Sequence, residues 1–307
     1  MNISLKNRKA ESELSQGLTY GILAYFIWGV VPIYWPHLQP ATPLEILAHR
    51  IVWSLLFLAI LCRRKIPKIK AIFQDSRTAK LLVLASCLIS VNWGLFIWAS
   101  VTKHLLDSSL GYFITPLLSV GLGVFFLKER LRNLQWVAIA IAASAVIYLT
   151  VSVGAPPWLA LALAFSFGIY GYVKKLANVP AIESLAIETL ILAPVALSYL
   201  VWLEVTGSGT FGHRGLSHTV WLATSGIVTA VPLMLFGAAT IRVPLSTMGM
   251  LQYLGPSLQY LIGLQVFHEA MPDSRFVSFV VTWLAIAIFT FDAIQNRRIQ
   301  AQFTEQH

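Results

Sequence analysis

Four side chains within one apolar stretch carry the groups most able to do chemistry in this chain. Glu45, His49 and Trp53 recur at every fourth position and so share one face of a helix, with Arg50 on the adjoining stripe. Glu45 and His49 can hydrogen-bond to each other, or they serve as a cap and a packing residue. The Arg50 guanidinium can bind a carboxylate or phosphate through two parallel hydrogen bonds. The alternatives for Arg50 are an internal pair with Glu45 and a side chain that extends to water.

Aromatic and amide side chains supply a second set of candidates. Tyr25 and Trp28 share a helical stripe, and Tyr170 lies at the matching depth of a later apolar stretch. Asn92 offers donors and acceptors beside the large ring of Trp93. Such stripes belong either to packed cores and interfacial belts or to cavities for flat or amphipathic molecules, and the sequence leaves both interpretations open.

Two prolines, Pro116 and Pro256, lie within apolar stretches. Each frees the carbonyl four residues earlier, at Tyr112 and Gln252, and kinks its helix. A freed carbonyl in lipid is tolerated only where protein or water satisfies it. We therefore expect bends beside a cavity, with Tyr112, Gln252 and Tyr253 presenting polar tips to it; a kink used only for packing is the alternative.

Composition identifies the surroundings in which these side chains lie. The chain of 307 residues is 57% hydrophobic and 11% charged, with a mean hydropathy of +0.72, whereas soluble domains carry about 25% charged residues. Its apolar runs of about 20 residues are long enough to cross a hydrocarbon core about 30 Å thick. Strand-like alternation is missing, so the spans must be helices. The sequence predicts an all-α membrane protein with ten spans, near 17–35, 44–62, 79–101, 108–127, 133–152, 156–174, 183–204, 218–239, 246–267 and 273–293.

Basic residues collect in alternate connections between these spans. The net charge is +9, with 22 Lys and Arg residues. If the N-terminus is inside, almost all of them fall in cytoplasmic segments. The exceptions are Lys103, Arg214, Arg275 and, within a span, Arg50. This asymmetry is the positive-inside pattern, which predicts that both termini are cytoplasmic. The positive charge then serves insertion and contact with anionic lipid, and we expect no nucleic-acid partner.

One passage of the sequence occurs twice. Residues 111–130 match residues 251–270 at an offset of 140 positions. This offset pairs Pro116 with Pro256, Gly123 with Gly263 and Glu129 with Glu269. We interpret the match as a duplicated five-helix unit, and we expect Glu129 and Glu269 to fix the loops in which they lie.

The duplication divides the chain into two halves. We place the repeats at 17–152 and 153–293, between cytoplasmic tails at 1–16 and 294–307. Because five is an odd number, the second copy enters the membrane inverted relative to the first. Inverted repeats allow one shared cavity to open to either side in turn. A duplication kept only for packing is the alternative.

Glu188 stands in the second half where Arg50 stands in the first. The inversion puts Arg50 toward the outside and Glu188 toward the cytoplasm, at depths that differ by roughly 11 Å, so we expect no salt bridge between them. Glu188 is the first candidate for a proton carrier. His49 and Glu45 are the others. The structural alternative for Glu188 is a carboxylate held by a neighbouring helix or by Lys174 or Lys175.

Enzymatic and metal motifs are missing. Cys62 and Cys87 make no disulfide framework or metal-ligand spacing. His268 and Glu269 do not form a zinc motif, because Pro272 occupies the place of the second histidine. No nucleotide-binding motif occurs, so ATP is not the expected source of energy. We expect no cofactor, and a membrane-embedded enzyme or a sensor is the less favoured class.

Seven strings, in this order, resemble the RarD branch of the EamA-type drug/metabolite transporter superfamily. They are "YFIWGVVPIY", "EILAHRIVWS", "NWGLFIWA", "SLGYFITPL", "LKERLRNLQWVAI", "LAFSFGIYGYVKK" and "YLGPSLQYL", and the similarity runs from about Gly17 to Asp292. The resemblance implies a ten-helix exporter or permease of the bacterial inner membrane, built from two five-helix repeats.

The resemblance, the inverted repeats and the intramembrane carboxylate of Glu188 together predict secondary transport of small organic solutes, such as amino-acid-like, aromatic or drug-like metabolites, by alternating access, with proton coupling as one of two modes. An uncoupled facilitator of the same solutes is the alternative. The partners are then the solute and the lipid bilayer. We expect a monomer, because a duplicated chain can form its cavity alone, with a homodimer as the alternative.

Overall fold

The computed structural model describes residues 2–101, 105–153, 158–266, 268 and 272–305, and none of these residues lies in a β-strand. Two short 3-10 turns, Val31–Ile33 and Trp35–Leu38, follow the first helix. The α-helices are α1 (Asn2–Val30), α2 (Pro43–Cys62), α3 (Ile66–Gln74), α4 (Ser76–Val101), α5 (Leu105–Phe125), α6 (Asn133–Val153), α7 (Trp158–Ala177), α8 (Ala181–Val205), α9 (Leu216–Thr240), α10 (Leu245–Gln252), α11 (Leu254–Gln265) and α12 (Asp273–Glu305).

Eight helices within the described residues are long and apolar enough to cross a membrane: α1, α2, α4, α6, α7, α8, α9 and α12. The fourth predicted span contains a shorter apolar helix, Leu110–Phe125. The ninth, predicted near 246–267, is divided between α10 and α11. The all-α membrane fold is thus confirmed, with ten segments that correspond to the ten predicted spans.

The break in the ninth span corrects the expectation of a kink at Pro256. Gly255 and Pro256 lie in the first turn of α11, a place where proline is tolerated because its missing N–H has no helical partner there. The chain therefore ends one helix at Gln252 and begins another at Leu254. Pro116, by contrast, lies inside α5 as expected.

Helix α10 is held at its start by Glu129 from the connection between α5 and α6. The Glu129 carboxylate accepts hydrogen bonds from the backbone N–H groups of Leu245 (2.6 Å) and Ser246 (2.9 Å). A carboxylate at this position satisfies N–H groups that have no partner within the helix. Glu129 thus fixes a loop as expected, although it does so by joining the two halves. Glu269 lies outside the described residues.

Helix packing follows the predicted duplication. The repeat matches α1 with α7, α2 with α8, α4 with α9, α5 with α10 and α11, and α6 with α12. Exchanging the two halves turns the pair α5/α7 into α11/α1 and the pair α4/α7 into α9/α1. The helices of all four pairs are in contact. In the contacting pairs α2/α8, α5/α10 and α6/α12, a helix packs against its own counterpart in the other half, so the exchange leaves these pairs unchanged. This is the symmetry of contacts that a duplicated unit produces; the repeat boundaries and the orientation across the membrane stay predictions.

The closest approach that matters for the site is between α2 and α9. A Cβ atom added to Gly226 would collide with the backbone of Trp53, so only glycine allows the two helices to meet there. The Ser54 hydroxyl donates to the Gly226 carbonyl at 2.8 Å. Since Arg50 and Ser54 lie one turn apart, this contact brings Arg50 against α9.

Candidate substrate-binding site

Arg50 lies on α2 about 10 Å from the start of the helix. Its guanidinium carbon lies 5.2 Å from the ring centre of Trp35 and 5.3 Å from that of Trp93. Its Nε donates a hydrogen bond to the Thr229 hydroxyl at 2.7 Å. Two indole faces stabilise the cation by cation–π attraction, and the hydroxyl fixes its orientation. We call Arg50, Trp35, Trp93 and Thr229 the Arg50 site.

The two terminal amino groups of Arg50 are unpaired within the described residues. Within the part of the chain that the structure describes, no carboxylate oxygen lies within 4.0 Å of the guanidinium, and neither amino group has a hydrogen-bond partner. Neither is among the fully sealed, unpartnered atoms of the interior, and Arg50 as a whole is half-buried. The internal pair with Glu45 that the sequence allowed is not formed. A guanidinium without an acidic partner is suited to bind an anion.

Two tyrosines complete the surroundings of the Arg50 site. The phenols of Tyr34 and Tyr112 lie within electrostatic range of the guanidinium. Tyr34 also donates to the backbone carbonyl of Trp221 and contacts the Thr224 hydroxyl at 2.9 Å. Tyr112 is one of the residues expected to face a cavity, whereas Tyr34 was missed, because it lies in an irregular segment between two spans.

The structure places three other expected cavity residues in helix packing. Asn92 donates to the Leu163 carbonyl and the Ser166 hydroxyl, both at 3.0 Å, and so ties α4 to α7. Tyr253 is buried, and its hydroxyl donates to the Phe113 carbonyl at 3.0 Å. Gln252 is also buried, at the break between α10 and α11. The Tyr253 hydroxyl therefore bonds to a neighbouring helix and is not free to face a cavity, whereas the expectation for the Gln252 amide stays a prediction.

Tyr25, Trp28 and Tyr170 meet in one aromatic cluster with Phe167 and Phe236. Ring centres of Trp28 and Phe167 lie 6.0 Å apart, and Tyr170 stacks on Phe236 at 6.0 Å. Tyr25 packs against Trp28 at 5.6 Å. The sequence had matched Tyr25, Trp28 and Tyr170 by depth but missed the two phenylalanines. This cluster packs α1, α7 and α9 against one another.

Below the aromatic cluster, Glu188 forms a buried ion pair with Lys174. The Lys174 ammonium nitrogen lies 2.5 Å from Glu188 Oε1, and Ser184 contacts both partners. Tyr170 donates to the other carboxylate oxygen at 3.0 Å. Of the alternatives for Glu188, the structure selects Lys174; Lys175 donates instead to the Thr240 and Val243 carbonyls. Arg50 and Glu188 form no salt bridge, as expected.

Glu45 and His49 lie near the start of α2, against the loop between α8 and α9. Glu45 Oε1 accepts hydrogen bonds from the backbone N–H and the hydroxyl of Thr210. The His49 ring stacks on Phe211 with ring centres 4.8 Å apart. The direct hydrogen bond between Glu45 and His49 is not formed. Thr210 was missed, since it lies in a polar connection without a periodic pattern.

A cavity of about 430 Å³ lies at the other end of the bundle, between the start of α8 and the end of α9. Polar groups of Tyr20, Lys65, Glu183 and Arg242 line it. Lys65 pairs with Glu183 at 3.2 Å. This end carries the segments predicted to be cytoplasmic. Within the described residues, no group of three His, Cys, Asp or Glu side chains is placed to hold a metal ion.

Comparison with known proteins places this architecture in a family. The EamA-like transporter family matches residues 15–151, close to the first predicted repeat. The chain is 49% identical over 292 residues to "Protein RarD" of Streptomyces exfoliatus, covering 94% of this chain and 93% of that protein. It is 41% identical to "Uncharacterized transporter YojE" of Bacillus subtilis (strain 168), over 94% of this chain and 97% of that one.

Two further comparisons agree with this placement. The chain is 40% identical to "Protein RarD" of Escherichia coli (strain K12), over 92% of this chain and 96% of that protein. The crystal structure of another protein superposes with a TM-score of 0.72 at 16% identity, over 91% of this chain and 98% of its own, and shows the shared fold alone. This chain is a multi-pass membrane protein that belongs to the RarD branch of the EamA-type drug/metabolite transporter superfamily.

Proposed function

We propose that this protein is a secondary transporter that moves small organic solutes across the bacterial inner membrane by alternating access, with both termini in the cytoplasm. The EamA-like family and relatives named as transporters support this class. The symmetric pairing of helices supports two halves that can exchange roles on either side of the membrane.

The Arg50 site carries the proposal for the solute. Its unpaired amino groups fit a carboxylate or phosphate, and the indoles of Trp35 and Trp93 offer apolar surface beside them. The solute class that fits is therefore a small organic anion with an aromatic or apolar body, including amino-acid-like and drug-like acids. A pocket of this kind selects by charge at one point and by apolar contact elsewhere.

Coupling to protons is the second part of the proposal. Glu188 lies with Lys174 on the inner side of the aromatic cluster, in a place that must open for a solute to pass. A carboxylate there can take up a proton when water enters and give it up when the gap closes. Uncoupled facilitated diffusion of the same solutes is the alternative. We expect the monomer to be sufficient.

Transport into membrane vesicles tests the solute class. Aromatic carboxylic acids are compared with their neutral amides in wild type, Arg50→Ala and Arg64→Ala, the last being an exposed arginine outside the site. We expect Arg50→Ala to lower the rate for the acids by about tenfold or more, the equivalent of one charge-assisted pair of hydrogen bonds, and to change the rate for the amides by less than about twofold. Equal losses for acids and amides would contradict an anion contact at Arg50.

A further inference from the structure

Three ionisable side chains lie buried together where the start of α2 meets the loop between α8 and α9. Glu45, His49 and His218 expose 1%, 5% and 7% of their surface. Each carries a polar atom that is sealed from solvent and has no hydrogen-bond partner: Glu45 Oε2, His49 Nδ1 and His218 Nδ1. Buried polar atoms are rarely left unpartnered, so the unused hydrogen-bonding capacity of these three side chains requires an explanation.

The hydrogen bonds in the cluster fix the direction of its protons. The Thr210 N–H and hydroxyl both donate to Glu45 Oε1, at 2.6 and 2.9 Å. A hydroxyl has a single hydrogen, so at the 2.8 Å contact between Thr210 Oγ1 and His218 Nε2 the imidazole must donate. Neutral His218 then carries its free lone pair on Nδ1, which is the unpartnered atom.

The charges in the cluster do not balance without a further proton. Within the described residues, no Lys, Arg or His nitrogen lies within 4.0 Å of the Glu45 carboxylate, which has only Thr210 as its partner. A buried carboxylate without a counter-charge is costly. A proton on His218 Nδ1 makes an imidazolium that is joined to Glu45 through the Thr210 hydroxyl, so the cluster becomes neutral.

Nearby charged groups do not already supply this balance. His49 lies within electrostatic range of both Glu45 and His218, but its ring nitrogens are not within 4.0 Å of the Glu45 carboxylate. The other titratable groups near this end of the helices are Tyr34, His37, Arg50, Tyr199, Glu204, His213 and Arg214. His213 pairs with Glu204 at 3.0 Å on the exposed side of the loop. His37 stacks on Trp221. Arg50 is directed to Thr229.

We propose that Glu45, Thr210 and His218 form a proton-binding relay that fastens the loop at 206–215 to the start of α2. The bound proton supplies the counter-charge that allows the Glu45 carboxylate to stay buried against the loop. The docked loop is therefore favoured at low pH and loosens as the pH rises and the proton leaves. Phe211 reinforces the docked state by stacking on His49 and packing 5.8 Å from Trp53. The relay needs no solute and so stands apart from the transport proposed above.

Spin-label mobility on the loop tests the relay in the intact protein in lipid, without any solute. A label is attached at Ser208→Cys, an exposed loop position, after Cys62 and Cys87 are replaced by serine. We expect an immobile label at low pH that becomes mobile in a one-proton step as the pH rises from about 5 to about 9. His213→Gln, which removes the exposed histidine of the same loop, should leave this step unchanged.

Two substitutions change the relay in opposite directions. Glu45→Gln keeps an oxygen that accepts from Thr210 but removes the buried negative charge, so the label should no longer become mobile as the pH rises. Thr210→Val removes the link between His218 and Glu45, so the label should be mobile throughout. A wild-type label whose mobility does not change with pH overturns the proposal, and so does a pH step that survives in both Glu45→Gln and Thr210→Val. Homogeneous elution of each variant in size-exclusion chromatography serves as the folding control.

Discussion

Arg50 and Lys174 are two cations in the interior of the bundle, and they differ in whether a carboxylate neutralises them. The Lys174 ammonium is neutralised within the chain by Glu188 and is almost fully buried. The Arg50 guanidinium is stabilised by two indoles and one hydroxyl, and no carboxylate of the described residues neutralises it. Each cation–π contact contributes about 0.5–2 kcal/mol, which is enough to orient the group but leaves its amino groups free. In the proposed transport, an arriving anion would therefore meet one cation without an acidic partner and another that is already paired.

Substitutions at Glu188 and Lys174 should show whether Glu188 couples transport to protons, separately from its contribution to stability. Glu188→Gln leaves the Lys174 ammonium buried without a counter-ion, which costs about 3–5 kcal/mol of stability. The double variant Glu188→Gln with Lys174→Met restores neutrality and should recover much of that loss in thermal unfolding. In vesicles with an imposed pH gradient, we expect neither variant to respond to the gradient. Glu204→Gln, at an exposed ion pair, is the matched control. A double variant that follows the gradient as wild type does would remove Glu188 as the proton site.

Sequence reasoning identified the ionisable groups but not all of their partners. Arg50 and Glu188 stand out because a charge within an apolar stretch is costly, and that cost is visible without a structure. Thr210 is 165 positions from Glu45, and no local sequence pattern predicts that the loop containing Thr210 contacts α2. Asn92 and Tyr253 were expected at a cavity, yet they bond to neighbouring helices, because an amide or phenol satisfies its hydrogen bonds equally well there.

At the scale of helices, length and hydropathy predicted most of the elements. They could not predict that the ninth span is interrupted, because a proline in an apolar stretch is compatible with a kink or with a break. Helix α10 begins beside Glu129 and ends at Gln252, and α11 begins at Leu254 after a single intervening residue. Length and hydropathy also gave no indication of α3, a helix of 9 residues in the basic connection after α2.

The contact between α2 and α9 should control the position of Arg50. Gly226→Ala puts a methyl group against the backbone of Trp53, and relief requires the helices to separate. We expect a loss of about 1–3 kcal/mol in the free energy of unfolding, together with weaker transport of anions, because Arg50 moves away from Thr229. Gly121→Ala is the matched control, since a Cβ there meets no atom within 4 Å. Equal stability and transport in the two variants would show that the close approach is not needed.

At the scale of the whole molecule, the duplication relates the two sets of polar groups. Exchange of the halves carries α2, with Arg50, onto α8, with Glu188, and these two helices pack against each other. If the second half is inverted, the unpaired cation and the buried ion pair lie toward opposite sides of the membrane. An anion passing from one to the other then requires the halves to exchange their packing, which is the structural requirement for alternating access.

The connections between matched helices provide the test of inversion. The segment between α2 and α4 and the segment between α8 and α9 occupy equivalent places in the two halves. Inversion puts the first in the cytoplasm and the second outside. In intact cells producing protein without Cys62 and Cys87, a membrane-impermeant maleimide should label Ser208→Cys but reach Gln74→Cys only after the membrane is permeabilised; both positions are exposed. Labelling of both positions from the same side would mean that the halves are parallel, and neither the shared cavity nor the opposed placement of Arg50 and Glu188 would then hold.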